Sequence, residues 1–281
     1  MLTGVKGENR CRVLTGRKFF VSGEYVGLPL IRWSVFCWCG LLLLAFCSPA
    51  EARHLKVYSP QTGAKGEIEF AYWLDYFAET DLPLSGLSME RDGLFRHTLE
   101  IEYGVTDDWT MALYGDWEDA VGETLKYVQT RLESKHRLFR PGEQIVEATL
   151  YLEYAIPRHS YEEHHELEAK LLLQRAIGPL VVRLNPVVEQ AIRGDEGFEL
   201  GYEAGVYAAA TPNITPGVEF FGALGPARNF DPRQMQQHSI GPVVKIRWGE
   251  LTGEFGAQFG ITRGSDDMVV KVIISFAIEP H

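Results

Sequence analysis

The chain has 281 residues and a formal net charge of −11, with 46% hydrophobic and 23% charged residues. That balance excludes both a disordered chain and a bundle of membrane helices, and the acidic excess argues against a nucleic-acid partner. Cys11, Cys37, Cys39 and Cys47 are the only cysteines, so everything after residue 47 lacks a disulfide framework and a cysteine metal site.

From Trp33 to Phe46 the chain is apolar over roughly 14 residues, short of the ~20 that a membrane-crossing helix needs. Arg32 precedes this run and Ser48-Pro49-Ala50-Glu51-Ala52 follows it, giving the charged flank, apolar centre and small-residue exit of a secretory leader. The expectation is a cleaved signal peptide over residues 1–52, with an over-long N-terminal extension, followed by one domain over residues 53–281. Phe46 is too bulky for the position before a lipidated cysteine, which argues against Cys47 as a lipid anchor. Cleavage leaves 21 Lys and Arg against 35 Asp and Glu, a charge of −14.

Beyond Ala52 the apolar residues recur with period two, the period of strands. Ile68, Phe70, Tyr72, Leu74 and Tyr76 share one face against Glu67, Glu69 and Asp75. Leu99, Ile101 and Tyr103 follow, then Trp109, Met111 and Leu113, then Val128, Thr130 and Leu132. The cleanest segment sets Val146, Ala148, Leu150, Leu152 and Tyr154 against Glu147, Thr149, Tyr151 and Glu153. The pattern returns at Leu167 to Leu173, Leu180 to Leu184, Leu200 to Val206, Val218 to Phe220, Ile240 to Trp248, more weakly at Leu251 to Ile261, and at Val270 to Phe276. This predicts an all-β fold, a transmembrane antiparallel up-and-down β-barrel of about twelve strands.

A soluble barrel with an apolar interior has the same period, so loop lengths and aromatics decide. Connections after the even-numbered strands read as short, for example Asp107-Asp108, Arg140 to Glu143 and Gly249-Glu250, while those after the odd strands read as long, notably Glu79 to Leu94 and Leu224 to Gln237. Tyr103, Trp109, Trp248 and Phe276 fall at the short-turn rim, and Tyr76, Phe95, Trp117 and Tyr154 at the other. Unequal rims with an aromatic girdle at each are the signature of a barrel in the outer membrane of a Gram-negative cell.

Tyr103-Gly104-Val105-Thr106-Asp107-Asp108-Trp109 resembles the strand-turn-strand signature of proteobacterial outer-membrane barrels of the transporter and porin-like type, including the group associated with phenol degradation. Val270-Lys271-Val272-Ile273-Ile274-Ser275-Phe276 is similar to the terminal signal of such barrels, although the chain continues through Ala277 to His281. The resemblance implies a barrel inserted by the barrel-assembly machinery, with outer-membrane lipid around it.

Charges crowd the polar faces, and a bare charge facing lipid would cost roughly 2 to 4 kcal/mol near the midplane. They are therefore expected inside, with Arg96, Glu100, Glu102, Arg131, Lys135, Arg137, Glu147, Glu153, Lys245 and Arg247 as candidate lumen-lining residues. Arg131, Lys135 and Arg137 form a basic ladder along one strand. A pore admitting small hydrophilic solutes and a closed barrel braced by ion pairs, acting through its long loops, both fit this composition, since about twelve strands lies between filled and open barrels.

Arg158 to Glu166 holds His159, His164 and His165 among carboxylates, but without fixed spacing it reads as a solvated loop, and no metal or other cofactor is expected. Outer-membrane lipid hydrolases resemble one another in a His-x-Ser pair on one strand, where residues two apart share a face and the imidazole can activate the hydroxyl. Here the pairs are adjacent, His159-Ser160 and His238-Ser239, so no enzyme activity is expected.

Overall fold

A computed structural model describes residues 55–80, 91–139, 142–192 and 197–279; the leader and the cleavage position after Ala52 lie outside these residues. Twelve strands follow in chain order: β1 (Ile68–Glu79), β2 (Phe95–Thr106), β3 (Trp109–Asp119), β4 (Lys126–Arg137), β5 (Glu147–Pro157), β6 (Glu166–Ile177), β7 (Leu180–Ala191), β8 (Glu199–Ala208), β9 (Ile214–Pro226), β10 (Gln237–Trp248), β11 (Leu251–Gly260) and β12 (Met268–Ile278). Each pairs antiparallel with its sequence neighbours, and β1 pairs with β12 to close the barrel. Tyr72 lies between Leu99 of β2 and Ile274 of β12, so the aliphatic faces of the seam are in register. Closure leaves no row of unpaired backbone groups, which only a closed barrel achieves with strands.

The period-two pattern becomes two surfaces. Leu99, Leu113, Leu132, Leu152, Leu184, Ile246 and Phe255 stand exposed on the outside, whereas Asp75, Arg96, Glu100, Arg131, Glu219 and Lys271 are buried inside. The connections are two residues at 107–108, 178–179 and 249–250, and long at 80–94, 158–165 and 227–236. One connection departs from the reading above: β4 to β5 spans residues 138–146 rather than a tight Arg140 to Glu143 turn. Backbone pairing outlasts the regular ladder there, with Leu138 N donating to Ala148 O at 2.9 Å.

At the short-turn rim the chain before β1 folds back onto β2. Gly66 N donates to Gly104 O at 2.7 Å, and Gly104 N donates to Glu67 O at 2.9 Å. A Cβ on Gly104 would fall 1.9 Å from Ala64 O, a backbone atom that has no room to retreat. Gly104→Val is expected to cost about 1–3 kcal/mol by forcing this turn off the wall. Urea unfolding in lipid vesicles, followed by tryptophan fluorescence, would register the loss; an unchanged midpoint would show that the turn does not rest on β2.

Candidate lumen site

The lumen is filled from two sources, inward side chains and the segment before β1. Leu55 to Gly63 belongs to no strand and runs through the barrel from end to end. Its upper end is Leu55, packed on Phe77, Leu94, Ala120 and Val269 near the long loops, with Leu55 O accepting from Lys271 Nζ at 2.7 Å. In mid-barrel Tyr58 is 2% exposed, its ring 4.9 Å from that of Tyr151, and Tyr58 O accepts from Asn185 Nδ2 at 3.2 Å. Pro60 O accepts from Thr149 Oγ1 at 2.6 Å, Gly63 N donates to Thr110 Oγ1 at 2.9 Å, and Thr62 Oγ1 donates to Asp107 O at the short-turn rim at 2.7 Å. Residues of β3, β5, β7 and β12 thus hold it from several sides, and they do so through side chains, with no ladder of backbone bonds.

Around it the inward charges form pairs. Arg96 Nη2 meets Glu118 Oε1 at 2.6 Å. Arg131 bridges Asp116 at 2.8 Å and Glu153 at 3.0 Å, and Tyr151 donates to the same Glu153 at 2.6 Å. Glu100 accepts from Trp73 Nε1 at 2.9 Å and from Tyr114 at 2.8 Å, and pairs with Lys56 of the segment at 3.3 Å. Lys135 pairs with Glu102 at 2.5 Å, while the Tyr114 hydroxyl also lies against Glu133. Across the barrel, Lys271 sits between Glu219 at 2.5 Å and Glu254 at 2.6 Å, Lys245 shares Glu254 at 2.6 Å, and Lys170 pairs with Glu203 at 2.6 Å. Nearly every base is matched by a carboxylate, which is what burial of charge demands.

The candidates named from sequence are distributed along this interior. Arg96, Glu100, Arg131, Lys135 and Glu153 are buried, and Glu102 and Lys245 are partly so. Arg137 lies at the short-turn rim against Asp108 at 3.4 Å, Glu147 accepts from Gln61 and Gln174, and Arg247 is exposed at the same end. The three bases of the β4 ladder do not form a bare positive strip, because each has a carboxylate partner. Sequence reasoning missed the inward aromatics Trp73, Tyr114 and Tyr207 and the segment itself. The aromatics had a signal, since each occupies the polar parity of its strand; the segment had none, because nothing local marks a stretch as enclosed by distant strands.

His165 and His238 spend Nδ1 on outward tyrosines, Tyr154 at 2.5 Å and Tyr202 at 3.1 Å. His238, Tyr202 and Ser239 all line one cavity. Among the described residues no group of three or more His, Cys, Asp and Glu is placed to hold a metal ion.

No family model matches the sequence, and no curated protein matches it. Among solved structures, the chain is similar to the COG4313 outer membrane channel from Pseudomonas putida F1, with TM-score 0.55 and 11% identity over 78% of this chain and 97% of that one. It is also similar to the KdgM porin, with TM-score 0.51 and 7% identity over 76% and 99%, and to the NanC porin, with TM-score 0.50 and 10% identity over 74% and 98%. At these identities the likeness establishes the fold: a closed antiparallel barrel of the kind found in outer-membrane porins and channels.

Proposed function

We propose that the chain is a passive channel of the outer membrane for small hydrophilic solutes, held shut in the conformation described by the segment Leu55 to Gly63. The observation that carries this reading is the way the segment is attached. A structural core would be expected to join the wall by strand pairing, but this one is tied by side-chain contacts from Lys271, Asn185, Thr149 and Thr110 to a lumen otherwise lined with charge. Such ties release locally without opening the wall, which keeps its backbone ladder. The exposed aliphatic belt is the surface for outer-membrane lipid, and the barrel-assembly machinery is the expected route of insertion. The Tyr103 to Trp109 turn further aligns the chain with the group associated with phenol degradation. No catalytic role is assigned to any residue.

Recording planar-bilayer conductance of the mature chain, with and without Leu55 to Pro60, tests the reading. A second reading, a closed barrel acting through its long loops, draws on the same segment filling the lumen; absence of conductance in both forms would select it. Processing has its own test. N-terminal sequencing of the membrane-extracted protein is expected to start at Arg53, and a chain still carrying Trp33 to Phe46 would overturn the leader.

A further inference from the structure

Near the long-loop end of the lumen lies a cavity of about 60 Å³. Leu55, Phe77, Phe221, Ala223 and Val269 supply an apolar side, and Gln258 and Asp266 supply polar atoms beside those of Glu203, His238, Ser239 and Ser265. Gln258 is 1% exposed, yet neither Nε2 nor Oε1 of its carboxamide has a hydrogen-bond partner among the described residues, and Oδ1 of Asp266 is likewise unmatched. A buried amide with both ends unmet is costly, and a plain apolar residue on this face of β11 would avoid that cost. The charges nearby are already neutralised, Asp266 by Arg91 at 3.2 Å and Glu203 by Lys170 at 2.6 Å, so the cavity asks for no net charge.

We propose that this cavity is a binding subsite for a short aliphatic primary amide. The unmet groups are two acceptor oxygens, Gln258 Oε1 and Asp266 Oδ1, and the amide nitrogen Gln258 Nε2 with its two N–H donors. A primary amide offers the complement, two N–H donors and one carbonyl acceptor, on a planar head. An alcohol offers one donor and matches less of the set. At roughly 10–15 Å³ for each water-sized group, the space takes a ligand of a few heavy atoms, with its alkyl part against Phe221 and Val269. The subsite extends the channel reading by naming a solute class and depends on that reading only for passage, since binding needs no conduction.

Saturation-transfer NMR with isobutyramide as probe, on the mature chain folded in micelles, tests the site. Wild type should give a saturable signal, tert-butanol should compete weakly, and Gln258→Leu should weaken isobutyramide by about tenfold or more. Because Gln258→Leu removes an unmet amide, it should also raise the urea midpoint, which separates lost recognition from lost fold. Ala223→Leu, which fills the apolar side, should abolish the signal in a barrel that still shows heat-modifiable mobility. No saturable signal from folded wild type, or equal binding by Gln258→Leu, would overturn the subsite. A barrel that binds the probe but never conducts would instead overturn the channel and leave the subsite standing.

Discussion

Lys271→Met is expected to destabilise the barrel by about 3–5 kcal/mol, the cost of removing one partner from a buried charge group. Lys271 is fully buried, and its ammonium holds Glu219 at 2.5 Å and Glu254 at 2.6 Å while donating to Leu55 O at 2.7 Å. Without it the two carboxylates are left with Lys245, which reaches Glu254 at 2.6 Å but Glu219 only at 3.7 Å. Glu219 suffers most, since it is itself fully buried and keeps only that distant cation and the Tyr207 hydroxyl at 2.6 Å. Adding Glu219→Leu to Lys271→Met should recover much of the loss, because replacing a buried pair by apolar groups of similar volume is often close to neutral. Urea titrations of wild type and both variants in vesicles measure this. A single variant as stable as wild type would mean that the cluster is already hydrated and contributes little.

Deleting Leu55 to Pro60 is expected to raise single-channel conductance severalfold, from a largely closed level to a steady open one. The deletion removes Tyr58 from between Tyr151 and Trp73 and Lys56 from Glu100, and leaves every strand and the turn at Ala64 to Gly66 intact. It also takes Lys56 from Glu100 and the Tyr58 carbonyl from Asn185, while Glu100 keeps Trp73 and Tyr114 and Asn185 keeps Glu203, so the opened interior stays polar. If the truncated barrel folds, as its heat-modifiable mobility would show, and still fails to conduct, then the remaining side chains fill the lumen and the closed-barrel reading holds.

The architecture was legible in the sequence because a barrel wall is a local pattern. Each residue's parity is set by its immediate neighbours, and the apolar belt has to satisfy lipid on every strand, so Leu99, Leu132, Leu152 and Ile246 announce their face without reference to any partner. The interior obeys no such rule. Whether Arg131 lines a water-filled space or is locked between Asp116 and Glu153 depends on residues 15 and 22 positions away. Gln258 illustrates the difficulty best. It lies in β11, where Gly253, Gly256 and Gly260 dilute the alternation, and nothing around it in sequence tells that its carboxamide is enclosed with no partner. The segment Leu55 to Gly63 is the extreme case, as its burial comes in part from β12, whose Lys271 lies 216 positions beyond Leu55.

That enclosed segment also constrains how the protein is built and handled. The wall closes where β1 meets β12, and the chain ahead of β1 already lies inside the ring they complete. Assembly therefore has an order: the segment Leu55 to Gly63 must be laid in the interior before the seam zips, or be fed through a finished ring afterwards. The same geometry decides where a reporter belongs. A fusion placed ahead of Leu55 has to exit among the long loops or stall the ring open, whereas one placed after Ile278 leaves directly from the rim where β12 ends.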